Sequence, residues 1–252
     1  MPNWVKNKVK FGDKKVIEDC YKKEFNEDWG EEIELFDFNK VISMPESLHI
    51  PCGSYQEIAM VYAFSKMDEE KKEYVKNELK DTNIEDFLSN DYYDKFFKRE
   101  FSQVEFDTAN KELKAIISGE REMFENIDFV GLGIKNLEDL GNTYIKNILE
   151  YGCDTWYDFA CKNWGTKWNA CHTYYVDEYN IEFDTAWSTP IHIFEEISKK
   201  YNTRVEVEYA DEDIGYNCGT MIFENGELVS RCYGNETFAN NVWGWSMEEE
   251  SE

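Results

Sequence analysis

The chain opens with a regular alternation of apolar and charged side chains. From Val5 to Phe11, lysines occupy every second position, which is the two-residue period of a half-buried strand. Apolar residues of Lys14–Phe25 follow at helical spacing and predict a helix. The segment Ile33–Val41 predicts a second extended piece. The start of the chain therefore predicts strand, helix and strand in succession.

The middle of the chain has a different pattern. Residues 54–125 contain no proline, and their apolar residues, including Phe87 and Leu88, recur three or four positions apart. This spacing predicts three to five helices. Residues 137–160 continue the pattern and predict a further helical stretch.

The final third predicts two β-hairpins with a helix and a strand between them. The second hairpin turns at Asn225-Gly226, a strong signal for a two-residue turn. Pro190 suits the first turn of the helix. The predicted elements are the strands His172–Val176 and Ile181–Trp187, the helix Pro190–Tyr201, and the strands Arg204–Tyr209, Gly219–Phe223 and Glu227–Cys232.

Removing the helical middle leaves the order β-α-β-β-α-β, which is the split βαβ arrangement of a ferredoxin-like sandwich. We therefore predict an α+β fold with a large helical insertion and an extra C-terminal β-hairpin. The alternative is two sequential domains divided near residue 130. The predicted parts are residues 1–45 with 165–235 for the ferredoxin-like domain, 54–164 for the insertion, and 236–252 for an aromatic and acidic tail.

Composition narrows the class of function. The 252 residues include 27 Lys and Arg against 53 Asp and Glu, a formal net charge of −26. Such a field repels phosphate, which argues against direct binding of nucleic acid or an anionic membrane over a broad surface. No apolar window reaches the roughly 18 residues that a membrane span needs. Seven cysteines without a CxxC pair favour reduced thiols and a cytoplasmic location.

Tryptophans and small polar residues concentrate in two segments, Asn163–Ala170 and Thr185–Pro190. One interpretation is packing, in which the amides and hydroxyls satisfy buried indoles. The other is a pocket for a ligand or partner. Lys167 suits both, because its ammonium can lie over an indole or contact an anion. The candidate residues are Trp164, Lys167, Trp168, Asn169 and Trp187.

These segments, with Pro2-Asn3-Trp4-Val5 and Tyr209–Gly215, resemble the YubB-like family of ferredoxin-like domains from bacteriophages and conjugative plasmids. The resemblance covers roughly residues 1–45 and 150–235. It implies a ferredoxin-like fold and a mobile-element origin. It implies no activity and no catalytic residues. If the chain is phage-encoded, the predicted cytoplasmic location is the cytoplasm of the bacterial host.

Signals for catalysis or metal binding are weak. Asp211-Glu212-Asp213 offers oxygen ligands suited to Mg²⁺ or Ca²⁺, yet a solvated acidic loop is the favoured interpretation in so acidic a chain. Cys161 and Cys171-His172 lack the spacing of a zinc site. We expect no catalytic residue, no metal and no cofactor.

The negative charge concentrates toward the C-terminus, where residues 172–252 hold 18 acidic against 4 basic side chains. Glu182 and Asp184 alternate with apolar residues on one predicted strand, as do Glu206 and Glu208 on another. This alternation places the four carboxylates on one outward sheet face. The pattern predicts an acidic face whose charge cannot be paired within the C-terminal part.

Our leading hypothesis is a non-enzymatic acidic protein of a phage or mobile element. It would bind a basic, nucleic-acid-binding host protein by mimicking phosphates, such as a CRISPR effector or another defence nuclease. Acidity that serves only solubility is the simpler interpretation. The alternative function is an enzyme that binds or processes a small ligand or nucleotide in the tryptophan-rich pocket. A regulatory or assembly module without catalysis is a third possibility.

Overall fold

The computed structural model describes residues 3–26, 30–81, 100–121, 123 and 127–245. The chain divides into two compact units, one from residues 1–43 and 160–252 and the other from residues 44–159. The elements of the first unit are β1 (Trp4–Phe11), α1 (Lys15–Cys20), β2 (Tyr21–Asn26), β3 (Glu31–Phe36), β4 (Cys171–Tyr175), β5 (Asn180–Ala186), α7 (Ile191–Lys200), β6 (Val205–Asp211), β7 (Cys218–Glu224), β8 (Glu227–Tyr233) and α8 (Glu236–Trp243).

The first unit is built on a six-stranded antiparallel sheet in the order β4-β5-β1-β6-β7-β8. Its first four strands, with helices α1 and α7, have the connectivity β-α-β-β-α-β and the strand order of the split βαβ fold. The predicted ferredoxin-like α+β fold is therefore confirmed. The hairpin β7-β8 extends the sheet beyond β6.

One face of this sheet, the inner face, carries the core. Val5, Val9 and Phe11 of β1 are buried there, because alternate residues of a strand point to the same side. Phe194 of α7 lies 6.3 Å from the ring of Phe183 on β5. The opposite face, here called the outer face, carries the charged residues that alternate with the apolar residues along the strands.

The predicted helix Lys14–Phe25 is wrong beyond Cys20. Tyr21 has an extended backbone, with φ −88° and ψ 140°, and begins strand β2, which pairs antiparallel with β3. An ion pair of 2.9 Å between Lys23 and Glu34 joins the two strands. The predicted extended segment Ile33–Val41 ends early, because Phe38–Lys40 forms a 3₁₀ turn.

The second unit is helical. Within its described residues the helices are α2 (Ser54–Lys66), α3 (Glu69–Asp81), α4 (Gln103–Ile117), α5 (Leu137–Tyr151) and α6 (Trp156–Phe159). Helices α2 and α5 pack closely because Gly141 has no side chain; a Cβ there would lie 2.0 Å from the carbonyl oxygen of Ala59. The predicted apolar positions Phe87 and Leu88 lie outside the described residues.

The helical stretch predicted over residues 137–160 is interrupted between Tyr151 and Trp156. Helix α5 ends at Tyr151, and Gly152 follows with a left-handed φ of 65°, the usual device for ending a helix. The short helix α6 and a π-helical turn, Ala160–Trp164, come after it. In the described part of the chain, no helix combines the length and apolar character needed to cross a membrane.

Candidate functional site

The outer face carries a row of lysines between two rows of carboxylates. On β1, Lys6 lies opposite Asp184 and Lys8 lies opposite Glu182 of β5. On the other side of β1, Lys8 lies opposite Glu208 of β6. Lys10 continues the lysine row and faces Glu206 of β6. The structure thus brings the four predicted carboxylates Glu182, Asp184, Glu206 and Glu208 to one face, but with cations between them.

The prediction that these carboxylates lack partners is wrong for Asp184, Glu182 and Glu206. Lys6 Nζ lies 3.1 Å from Asp184 Oδ1, and Lys8 Nζ lies 3.7 Å from Glu182 Oε1. The count of charges over residues 172–252 missed these pairs, because the lysines come from the N-terminal strand β1. The fold places that strand inside the sheet, between β5 and β6. On β6, Glu206 accepts a hydrogen bond of 2.8 Å from Arg204 Nε.

The Phe11 end of the outer face forms an open concavity, here called the outer groove. Its volume is about 490 Å³. Glu208, which lines it, is exposed, and its side chain makes no hydrogen bond or ion pair with another described residue. Charged and apolar side chains alternate along the groove, which is lined in part by Lys8, Lys10, Val176, Glu182, Glu206, Glu208, Thr220 and Ile222.

The Trp4 end of the outer face carries a continuous line of rings and cations, here called the aromatic row. It consists of Trp187, Lys167, Trp168, Trp4 and His172. The ammonium of Lys167 lies 4.5 Å from the ring centroid of Trp168 and 5.0 Å from that of Trp187. The ring centroids of Trp168 and Trp4 are 5.9 Å apart, and those of Trp4 and His172 are 5.1 Å apart in an edge-to-face arrangement.

The His172 ring is fixed from below by a buried carboxylate. Its Nδ1 donates to Asp184 Oδ2 at 2.9 Å, and Asp184 is only 6% exposed. The side chain of His172 is 63% exposed, so the edge carrying Nε2 is accessible to solvent. Asp184 therefore positions both His172 and Lys6, and its role in this arrangement is structural.

Two residues of the aromatic row have left-handed backbones. His172 has φ 47° and Trp187 has φ 71°. The other described non-glycine residues with positive φ are asparagines, Asn202, Asn217 and Asn225; asparagine and histidine both favour this region, whereas a tryptophan there is an outlier. The unfavourable backbone among these residues is therefore that of Trp187, at one end of the row.

Trp164 and Asn169 do not join the aromatic row. Trp164 is 4% exposed, and its Nε1 donates to the carbonyl of Ile42 at 2.9 Å. Asn169 accepts from the backbone N–H of Phe38 and donates to Asp37, both at 2.9 Å. These two candidates hold the 3₁₀ turn at Phe38–Lys40 against the domain, as the packing interpretation has it.

The acidic segment Asp211-Glu212-Asp213 begins at the last residue of β6, and Asp211 holds it in place. Asp211 is buried and accepts from the backbone N–H of Asp213 at 2.9 Å. The N–H of Glu212 donates to the carbonyl of Trp4 at 2.9 Å. The side chains of Glu212 and Asp213 are exposed. Over the residues that the structure describes, no three His, Cys, Asp or Glu side chains are arranged to hold a metal ion.

The thiol of Cys171, the residue before His172, is unreactive at neutral pH. Burial, and secondarily the Asp184 carboxylate, raise the pKa of Cys171 to about 11. The thiol is therefore protonated at neutral pH, and it is the thiolate that acts as nucleophile or metal ligand. The arrangement suits binding better than covalent chemistry.

The sequence reasoning missed several residues of this face. Lys6, Lys8 and Lys10 were used only to recognise a strand, although the predicted split βαβ order already placed that strand at the centre of the sheet. Trp4 entered only through the family resemblance, and His172 only as a weak zinc candidate. The lysine pairing was therefore deducible, whereas the Trp4–His172 contact required coordinates.

The C-terminal part of the chain also has recognisable relatives. Residues 163–252 match the family model of the ferredoxin-like domain in Api92-like protein. A crystal structure of a protein api92 from Yersinia pseudotuberculosis aligns with 93% of this chain and 99% of its own, at 10% identity and a TM-score of 0.39. A search of curated proteins finds no match.

Proposed function

We propose that this chain is a non-enzymatic acidic protein that captures a basic, nucleic-acid-binding protein in the outer groove. The observation that carries the proposal is the pair Glu206 and Glu208, which line the outer groove from one strand, with Glu182 across the lysine row. Alternate residues of a strand are about 6.7 Å apart. That spacing is about twice the 3.4 Å axial rise per phosphate of one DNA strand.

The lysines of the groove add selectivity to this attraction. Lys8 pairs with Glu182, and Lys10 lies between the β5 and β6 rows. A partner must therefore place its arginines over β6 while leaving the lysine row undisturbed. Repulsion of misplaced cations penalises other basic surfaces, which is how unfavourable contacts create specificity.

The partner we propose is a bacterial defence nuclease such as a CRISPR effector, whose nucleic-acid channel the groove would block. Two considerations support this choice. The acidity of residues 172–252, with 18 acidic against 4 basic side chains, favours a basic target. The resemblance to the YubB-like family of bacteriophages and conjugative plasmids points to a mobile element facing host defence.

The first test uses a fluorescent arginine-rich peptide and measures its anisotropy as the chain is titrated. The variant Glu206→Lys with Glu208→Lys should bind the peptide at least about tenfold more weakly, a loss of about 1.4 kcal/mol. The matched control is Glu73→Lys with Glu78→Lys on exposed positions of α3, which changes the net charge equally. Equal losses in both variants would reduce the effect to bulk charge and overturn the groove assignment.

The second test addresses the nuclease. Labelled duplex DNA bound to a purified CRISPR effector should be displaced by the wild-type chain at low salt, and less well at high salt. The groove variant should fail to displace it, while the α3 control should succeed. Absence of displacement by the wild-type chain at low salt would reject this class of partner.

A further inference from the structure

We propose that the edge strand β8 pairs antiparallel with β8 of a second copy of this chain, so that two six-stranded sheets become one continuous sheet. Among the described strands, β8 pairs with β7 alone. The unpaired N–H and C=O groups of an edge strand are a template for a further strand. β8 contributes no residue to the lining of the outer groove, so the two surfaces are separate.

The hydrogen-bond pattern of the β7-β8 hairpin determines which backbone groups of β8 point outward. The N–H of Gly234 donates to the carbonyl of Cys218 at 2.9 Å, and the pairing with β7 continues without a break over residues 230–233. Opposite residues of an antiparallel pair alternate between hydrogen-bonded and non-hydrogen-bonded. Arg231 and Tyr233 therefore turn their N–H and C=O groups away from β7, toward the open edge.

The side chains of β8 leave this edge accessible. Val229 is 51% exposed and Tyr233 is 79% exposed. The strand contains neither proline nor lysine, which commonly protect edge strands, and its bulge lies nearer the turn than the regular part of the edge. The other edge strand, β4, is contacted by β3, because the Tyr175 N–H donates to Glu34 at 3.0 Å. Pairing at β8 therefore closes with two copies and does not extend into a fibre.

Charge favours a second copy as the occupant of the edge. β8 holds one acid, Glu227, and one base, Arg231, so the strand is neutral within a chain of net charge −26. Two such acidic chains approach each other with the least repulsion along a neutral strand. A basic partner gains little attraction at β8 and is directed to the acidic outer groove instead.

A two-fold axis at Cys232 satisfies the outward backbone groups. In an antiparallel pair centred there, Arg231 lies opposite Tyr233 of the second copy, and each of these two pairs exchanges two backbone hydrogen bonds. Within one chain the Arg231 guanidinium lies 5.1 Å from the Tyr233 ring. The pairing places a second tyrosine ring beside the same cation. Cys232 then lies opposite Cys232 of the second copy in a non-hydrogen-bonded pair.

Sedimentation equilibrium of the full chain under reducing conditions tests the pairing. The molar mass should rise with concentration toward twice the 29.9 kDa of one chain. Tyr233→Pro removes an outward N–H without removing a hydrogen bond to β7, and should weaken the dimer at least about tenfold. Tyr216→Ala is the control, because Tyr216 is 71% exposed but lies outside β8, and it should leave the dimer unchanged. Thermal unfolding verifies that each variant is folded.

Opposite charges at Cys232, which is exposed, test the position of the axis. Cys232→Asp alone and Cys232→Lys alone each place like charges opposite each other and should weaken the dimer about fivefold. An equimolar mixture of the two variants should restore it as a heterodimer. A mixture no tighter than either variant alone would overturn the pairing at Cys232.

Two other results would also overturn the proposal. A wild-type chain that stays monomeric at the highest concentration measured would leave β8 to a strand of another protein. A dimer that Tyr233→Pro does not weaken would mean that a different surface joins the copies. Molar mass is measured without the arginine-rich peptide, so the outer groove is judged independently.

Discussion

The two ends of the outer sheet face use the same kind of side chain for different purposes. At the Trp4 end, Asp184 is buried and holds Lys6 and His172. At the Phe11 end, Glu208 is exposed and lines an open groove. Both residues come from the same alternation of acidic and apolar positions. Identical sequence patterns thus yield a structural carboxylate or an accessible one.

Helix α8 accounts for much of this difference. Its buried residues Ala239 and Val242 form a small core with Ala210 and Cys218 of the sheet, and Trp243 lies against Lys6 at 4.9 Å. The helix therefore covers part of the Trp4 end and shields the Lys6–Asp184 ion pair from water. A shielded pair is screened less than an exposed one, so an acid beneath the helix contributes more to stability.

The largest effect is expected from removing a core side chain that supports both ends of the outer face. Phe183 is fully buried and stacks on Phe36 at 5.5 Å. Phe183→Ala should lower the free energy of unfolding by about 3–5 kcal/mol, as measured by denaturant titration. Peptide binding by the fraction that remains folded should be unchanged. A loss smaller than about 1 kcal/mol would show that the two ends do not depend on this core.

The next effect contrasts the two carboxylates directly. Asp184→Ala leaves Lys6 and His172 without their shared partner and should cost about 2 kcal/mol of stability. Glu208→Ala should change stability by less than about 0.5 kcal/mol. Thermal or denaturant unfolding of both variants measures the difference. Similar losses would break the distinction between the two ends.

The helical unit provides an independent reference for a buried acid. Burial, followed by the neighbouring Asp158, raises the pKa of Asp154 well above its usual range. Its contribution to stability is therefore complete below the unfolded pKa of about 4 and is lost as pH rises through the folded pKa. Asp154→Asn should remove that loss and make the chain more stable than the wild type at neutral pH.

Unfolding measured at mildly acidic and at neutral pH tests the Asp154 prediction. A variant Asp154→Asn that is less stable than the wild type at neutral pH would contradict the assigned direction.

The smallest effect is expected from replacing Lys8, which tests the role of the lysine row in the outer groove. Lys8 pairs with Glu182 at 3.7 Å, and both side chains are about a third exposed. Lys8→Gln should leave stability nearly unchanged, because exposed pairs contribute less than about 1 kcal/mol. It should strengthen binding of the arginine-rich peptide by less than about fivefold. Weaker binding would mean that Lys8 contacts the partner favourably.

The fold was largely predictable because its signals are local and periodic. The lysine alternation of β1, the Asn225-Gly226 turn and the helix after Pro190 each specify an element from a short stretch of chain. Strand β2 was not predictable in this way. Residues Val16 to Tyr21 fit a helical period, and the extended conformation from Tyr21 onward depends on pairing with β3, a non-local interaction.

The candidate site was predicted only in part for a similar reason. Spacing grouped Trp164 with Trp168 and Trp187, but the π-helical turn ending at Trp164 and the left-handed Gly165 separate it from them. Trp164 enters the core, while Lys167 lies between the other two indoles. Side-chain direction after such irregular backbone is set by tertiary packing, which periodicity does not report.

The most direct test of the central claim is carboxyl footprinting of the chain with and without a bound arginine-rich peptide. A water-soluble carbodiimide modifies exposed carboxylates, and mass spectrometry reports the modification at each residue. The account predicts that the peptide protects Glu206 and Glu208, while Glu73 and Glu78 of α3 remain equally reactive. Protection of the α3 glutamates to the same extent, or none at Glu206 and Glu208, would contradict it.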